Sequence, residues 1–276
     1  MIAKPTNSSP RPKYNRLRTG LLDTQYFSTI SSRLPILSIY YVESDNIFGL
    51  IVITKTQAMT PPQASMGTSF TLPRVGSIED PLRLAVLISG GGSGLASLLK
   101  FQADGPRCHQ TVLVLADSED AGGLEHGRQS GIESKGIPLP TDRPVSDRRL
   151  GHEEIVERYL QSSDVELVVL SGYMRILTPS FVEKWKGRII NVHPSLLPDF
   201  PGAHAHRDVL SAGVPITGCT VHLVDEGVDT GPILAQREVP VMPDDDEPSL
   251  QERVKQVEHA LYPEVIDLLC TGQISL

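Results

Sequence analysis

Asn191 and His193 stand two residues apart in an apolar segment, RIINV at 188–192, that runs on into His193 and Pro194. On a strand, that spacing sends both side chains to one face. An amide and an imidazole side by side can hold a developing oxyanion and shuttle a proton. Read alone, His193 fits a hydrogen-bonded structural role at least as well. Downstream, residues 225–231 (DEGVDTG) form a loop dense in carboxylates. Asp229 placed near His193 would raise the imidazole pKa and could hold a water for proton transfer. A solvated acidic loop is the other reading. Upstream, Ser89-Gly90-Gly91-Gly92-Ser93-Gly94 follows an apolar run. Main-chain N–H groups at such a turn, with a helix N-terminus behind them, can cradle an anion. A turn without ligand is again the alternative.

Several better-known chemistries fail on single residues. Leu95 takes the place of the third small residue of a dinucleotide fingerprint and of the last glycine of GxSxG, and no GxxxxGK is present. Asp117 could still imitate a ribose-binding acid. A phosphomonoester suits the short loop better. His204 and His206 alternate with no third ligand at fixed spacing, and His152-Glu153 lacks the second histidine of HExxH. No metal site is expected.

These groups need elements to position them. Residues 84–89 (LAVLIS), 111–116 (TVLVLA), 165–171 (VELVVLS) and 188–192 are short and apolar on both faces, as buried parallel strands are. Helical patterns cover 95–101, 124–129, 147–160 and 180–185. The alternation predicts a doubly wound α/β fold with a mostly parallel sheet. Residues 218–224 and 233–241 alternate and should add an antiparallel edge. A last helix should begin near Ser249, with Ser249 and Glu252 as its capping box and Leu250, Val254, Val257 and Leu261 as its packed face.

The chain has 276 residues and a net charge of −8, which argues against a nucleic-acid partner. Residues 1–80 carry eight basic and five acidic residues, net +3, and the remainder 17 and 28, net −11. The expectation is therefore a noncatalytic, poorly ordered extension over 1–80 and one domain over 81–276. The extension reads as a transit peptide, or as sequence ahead of a later start at Met59 or Met66, with a Pro/Ser/Thr/Gly-rich linker at 56–80. Cys108, Cys219 and Cys270 form no CxxC pair, which suits a reducing compartment. The apolar stretches at 36–41 and 47–54 are far short of a membrane span.

Residues 82–276, about 70% of the chain, resemble the phosphoribosylglycinamide formyltransferase family, folate-dependent enzymes of purine synthesis. In order, the resemblance runs through LAVLISGGGSG, SGYMRIL (171–177), NVHPSLLPDFPGAHAHRDVL (191–210), GCTVHLVDEGVDTGPIL (218–234) and RVKQVEHALYP (253–263). It implies a Rossmann-like formyltransferase fold and transfer of a formyl group from 10-formyltetrahydrofolate, a cosubstrate, to glycinamide ribonucleotide, with no metal. Asn191, His193 and Asp229 match the catalytic trio. Asn191 would bind the oxyanion, protonated His193 would assist, and Asp229 would hold the imidazolium and a relay water. Gly91, Gly92, Ser93, Gly94, Pro194, Lys255 and Glu258 would bind the ribonucleotide. Met174, Arg175, Ile176 and Leu177 would frame the folate with Asn191, and Asp225, Glu226, Gly227, Val228 and Asp229 would close over it. His204, His206 and His222 match family histidines near the site. The resemblance further implies small-molecule partners only, a monomer or homodimer, and a cytoplasmic enzyme, or an organellar one if the basic N-terminus is an address.

Two departures concern the phosphate loop. The family usually has Asn at the place of Gly94, and often Asn, Ser or Thr at Gly91. Losing one side-chain hydrogen bond would weaken binding by about 1 kcal/mol. Competing readings are a formyltetrahydrofolate deformylase, a methionyl-tRNA formyltransferase, a nicotinamide oxidoreductase using Asp117, and a noncatalytic folate or nucleotide sensor. The run HPSLLP and the GAHAHR after it fit the glycinamide enzyme better than either folate relative, and the acidic chain counts against tRNA.

Overall fold

The computed structural model describes residues 70–274 and Leu276, together with the backbone of two strands ahead of them. Those strands, β1 (Ile39–Ser44) and β2 (Ile47–Val52), pair antiparallel. The expectations of a transit peptide, a later start and the first part of the linker otherwise lie outside the described residues.

The rest is built on a seven-stranded sheet. In chain order its elements are β3 (Leu82–Ile88), α1 (Ser93–Ala103), β4 (His109–Ala116), α2 (Leu124–Gln129), β5 (Glu133–Gly136), α3 (Arg148–Ser162) and β6 (Leu167–Leu170). They continue with α4 (Pro179–Lys184), β7 (Ile189–His193), α5 (Ala205–Ala212), β8 (Ile216–Leu223), β9 (Ile233–Pro240) and α6 (Glu247–Cys270). The strand order is β5-β4-β3-β6-β7-β8-β9, parallel from β5 to β7, with β8 and β9 added antiparallel as the sequence predicts. Two elements escape the sequence patterns. The edge strand β5 is ESKG, with no apolar residue, and α5 buries only Ala205 and Val209.

Strand β3 shows why the sheet is central. Its Leu82, Leu84, Val86 and Ile88 pack into one layer with Leu95 and Leu98 of α1 and Leu250, Val254 and Leu261 of α6. Ala85 and Leu87 point the other way, against Val156 and Leu160 of α3, Phe181 of α4 and Trp185 at its C-cap. The period of two thus fills both layers from one strand. The chain moves outward from β3 through β4 to β5, then returns to β6 on the other side of β3. The strand order therefore reverses between β3 and β6, and a crevice at the carboxyl ends of the strands is expected there.

Helix α6 begins earlier than expected. Asp246, not Ser249, is its N-cap: the Asp246 side chain accepts from Ser249 N–H, and the Ser249 hydroxyl accepts from Asp246 N–H. Asp245 anchors this start through two bonds to Arg253, at 2.6 and 2.7 Å. Further along, Pro263 cannot donate to the His259 carbonyl four residues back. The Ser97 hydroxyl of α1 donates to that carbonyl instead, at 2.6 Å, tying the two helices together. Residues 70–80, which composition assigns to the linker, lie along this domain. Phe70 and Leu72 pack on its core, Arg74 pairs with Glu166, and Gly76 N–H donates to the Cys270 carbonyl at 2.8 Å. Among the described residues, no helix is long and apolar enough to cross a membrane.

At the opposite end of the sheet, His109 is buried under Phe101. Gln102 donates to its Nδ1 at 2.9 Å, and Asp267 Oδ1 lies 3.4 Å from its Nε2. Burial pushes the imidazole pKa down to about 4; Asp267 opposes the shift and Arg107 adds to it. Unfolded, the same group titrates near 6.5. Between those values the unfolded chain binds the extra proton, so stability is full above about pH 6.5 and falls as pH drops toward 4. Urea unfolding should show a loss between pH 7 and pH 5, and His109→Gln should remove about 1–2 kcal/mol of that loss. An unchanged loss in the variant would assign the pH dependence elsewhere.

Candidate active site

Three strand ends build the site: β3 runs into the glycine loop, β6 into residues 171–177, and β7 ends on His193. Antiparallel pairing sets His222 of β8 directly opposite Asn191 and Thr220 opposite His193. Opposed residues share a face, and the Asn191 amide nitrogen lies 3.2 Å from His222 Nε2. The His222 Nδ1–H donates to the Leu223 carbonyl at 2.9 Å, which leaves Nε2 as the acceptor from Asn191.

Asp229 enters from the β8–β9 loop. Its Oδ2 is 3.3 Å from His193 Nδ1 and its Oδ1 is 3.5 Å from His222 Nε2. Gly202 N–H donates to Oδ2 at 2.8 Å. Asp229 holds a left-handed backbone, φ 55°, a costly conformation for a residue with a side chain. The loop is braced by Asp225, which accepts from Gly227 N–H at 3.1 Å and the Thr230 hydroxyl at 2.7 Å. Gly231 is obligatory, because a Cβ there would overlap the Leu223 carbonyl.

The structure brings Asn191, His193 and Asp229 together, with His222 as a fourth member. The charge balance differs from the sequence expectation. Burial pulls the His193 pKa down and outweighs the upward pull of Asp229 and of the Phe200 carbonyl, which accepts from Nε2–H at 2.8 Å. Asp229 moves the other way: burial raises its pKa, but the neighbouring His222 imidazole, the Gly202 N–H and His193 leave it lowered. The resting pair is thus a carboxylate facing a weakly basic imidazole.

A cleft of about 140 Å³ opens beside this group. Asn191, His222 and Asp229 form one end of it, and His193 stands behind Asp229 rather than in the wall. Arg175, Ile176, Leu177, Asp225, Glu226, Gly227 and Val228 line it as expected, whereas Met174 is 74% exposed and does not. Tyr173 and Val224 also line it and were not singled out by sequence. Tyr173 is held by His152, whose Nε2 lies 2.7 Å from the phenol oxygen. Arg175 pairs with Asp117 at 2.9 Å, which occupies the acid that a nicotinamide reading would assign to a ribose.

The glycine loop adjoins the same crevice. Gly92 takes φ 66° as the N-cap of α1, and a Cβ there would lie 2.8 Å from Gly123 Cα. Gly90 and Gly91 have open space where a Cβ would stand. Lys255 and Glu258 project from α6, which packs on α1. Burial raises the Glu258 pKa to about 7, against the charge of Lys255. His206 is half-buried, with its pKa lowered by desolvation, and feels Glu247, His193 and Lys255. Pro194 follows β7, partly exposed. Among the described residues, no three His, Cys, Asp or Glu side chains are grouped to hold a metal.

A sequence model of the formyl transferase family matches residues 82–266. The chain belongs to the formyl transferase family. It is 43% identical over 192 residues to the trifunctional purine biosynthetic protein adenosine-3 of Drosophila melanogaster, covering 69% of this chain but 14% of that protein. It is 38% identical to the phosphoribosylglycinamide formyltransferase of Escherichia coli, covering 71% of this chain and 90% of the other. The crystal structure of glycinamide ribonucleotide transformylase 1 from Symbiobacterium toebii superimposes with a TM-score of 0.67 at 39% identity, over 71% of this chain and 91% of that one. These matches cover the domain just described.

Within that domain, Gly94 has a local cause. A Cβ at residue 94 would overlap the Ser171 hydroxyl, whereas Ser171 Cβ would lie at an ordinary 3.7 Å. Gly94→Ala should therefore cost about 1–2 kcal/mol in urea unfolding, and Ser171→Ala in the same chain should recover most of it. Strictly additive effects of the two substitutions would show that the hydroxyl does not select glycine here.

Proposed function

We propose that this chain transfers the formyl group of 10-formyltetrahydrofolate to the amine of N1-(5-phospho-D-ribosyl)glycinamide, giving the N2-formyl product and tetrahydrofolate, in de novo purine biosynthesis. The observation that carries the reading is the convergence of Asn191, His222 and Asp229 on one end of a cleft, with His193 behind Asp229. The glycine loop supplies N–H groups for the phosphate, Lys255 adds charge, and Glu258 suits the ribose hydroxyls. Residues 175–177 and 224–229 make a slot for the pteridine.

In this account the neutral amine attacks the formyl carbon, so no serine or cysteine nucleophile is needed. As the nitrogen–carbon bond forms, the formyl oxygen becomes an oxyanion. Asn191 has one amide N–H on His222 and a second free to donate to that oxygen. The proton lost by the attacking nitrogen passes through a water at Asp229 to N10 of the folate, whose bond to the carbon then breaks. His193 starts neutral and gains basicity as negative charge develops nearby, so it stabilises the intermediate more than the bound substrates. The reaction as written uses no metal and only small-molecule partners. We place it in the cytoplasm, in a monomer or homodimer.

The test is turnover by the purified full chain with both substrates and, in parallel, without the ribonucleotide. Ribonucleotide-dependent release of tetrahydrofolate is expected. Release without it would make the protein a deformylase, and no release in either tube would leave a binding protein. His193→Ala should lower kcat by about 10²- to 10³-fold while the folate KM moves little. Equal effects on kcat and folate KM would make His193 a binding residue.

A further inference from the structure

The glycine loop is held from outside by α2. Gly123 N–H, at the start of that helix, donates to the Gly90 carbonyl at 2.9 Å. One turn on, His126 Nε2 lies 3.2 Å from the Gly91 carbonyl. A carbonyl only accepts, so the imidazole carries its proton on Nε2 there. The same ring packs over Gly92, 3.5 Å from where a Cβ would stand.

Two successive carbonyls of the loop therefore face α2. In a planar trans peptide the N–H points opposite to its C=O. Turning the Gly90 and Gly91 carbonyls toward α2 turns the N–H groups of Gly91 and Gly92 away from it. Among the described residues no backbone or side-chain acceptor takes either of these N–H groups. They join the unpaired N–H groups of the first turn of α1. Without the His126 bond, the glycine at residue 91 leaves that peptide free to rotate, because no Cβ restrains it.

We propose that His126 is a positioning residue for ribonucleotide binding: it fixes the Gly91–Gly92 peptide so that the Gly92 N–H stays aimed at the substrate phosphate. The inference rests on the functional reading above. It concerns binding of one substrate only, since His126 does not touch the folate cleft or the Asn191–Asp229 group.

The test is steady-state kinetics of the full chain with His126→Ala and His126→Gln, because the glutamine amide can restore an N–H donor where the imidazole had one. His126→Ala should raise the KM for glycinamide ribonucleotide by about five- to tenfold, the worth of one hydrogen bond. Its kcat and folate KM should stay within about twofold of the parent, and His126→Gln should recover most of the loss. An unchanged ribonucleotide KM in His126→Ala, or a glutamine variant as impaired as the alanine one, overturns the inference alone. A parent protein that shows no ribonucleotide turnover overturns the functional reading and this inference with it.

Discussion

The Asp229 carboxylate sits between two imidazoles and one backbone N–H, and the rest of the site is arranged around that placement. His193 and His222 come from neighbouring strands, so their separation is set by the antiparallel register of β7 and β8. A slip of one residue would turn Asn191 and His193 to the other face and dissolve the group. The carboxylate itself arrives on a loop whose backbone is strained at Asp229 and closed by Asp225, Thr230 and Gly231. Such strain persists only where surrounding contacts over-determine it. The groups that keep Asp229 ionised are others: the Gly202 N–H and the two imidazoles.

The proposed ribonucleotide end depends on a different constraint. The glycine loop lies against α2, whereas Lys255 and Glu258 stand on α6. Helix α1, which starts at the loop, is tied to α6 by the Ser97–His259 bond, made where Pro263 cannot donate. A proline within a long helix is thereby turned into a docking point. The core layer shared by β3, α1 and α6 supplies the apolar burial that holds this arrangement.

Much of this was legible in residue patterns. The buried parallel strands announce themselves by apolar runs, and the two-residue spacing of Asn191 and His193 places both on one face. The antiparallel edge follows from alternation in β8 and β9. What was hidden depends on pairing between distant segments. The resemblance points to His222, but its bond to Asn191 comes from a cross-strand register that no single segment encodes, and Tyr173 lines a cleft wall made by two loops. The cap of α6 was misplaced by three residues because Asp246 and Ser249 satisfy each other, while Ser249 with Glu252 offers the same residue types one turn on. The net balance at His193 is hidden for a related reason. The sequence shows the neighbouring carboxylate, but not the burial that outweighs it.

That balance is the centre of the account, and the protonation of His193 reads it directly. A nitrogen-15 NMR titration of the histidines, with His193 assigned by substitution, should find its midpoint below 6.5, the ordinary value. In Asp229→Asn the midpoint should fall further, because the nearby negative charge that partly offsets burial is gone. A His193 already charged at neutral pH in the free protein, or a midpoint that Asp229→Asn leaves unmoved, would contradict the account.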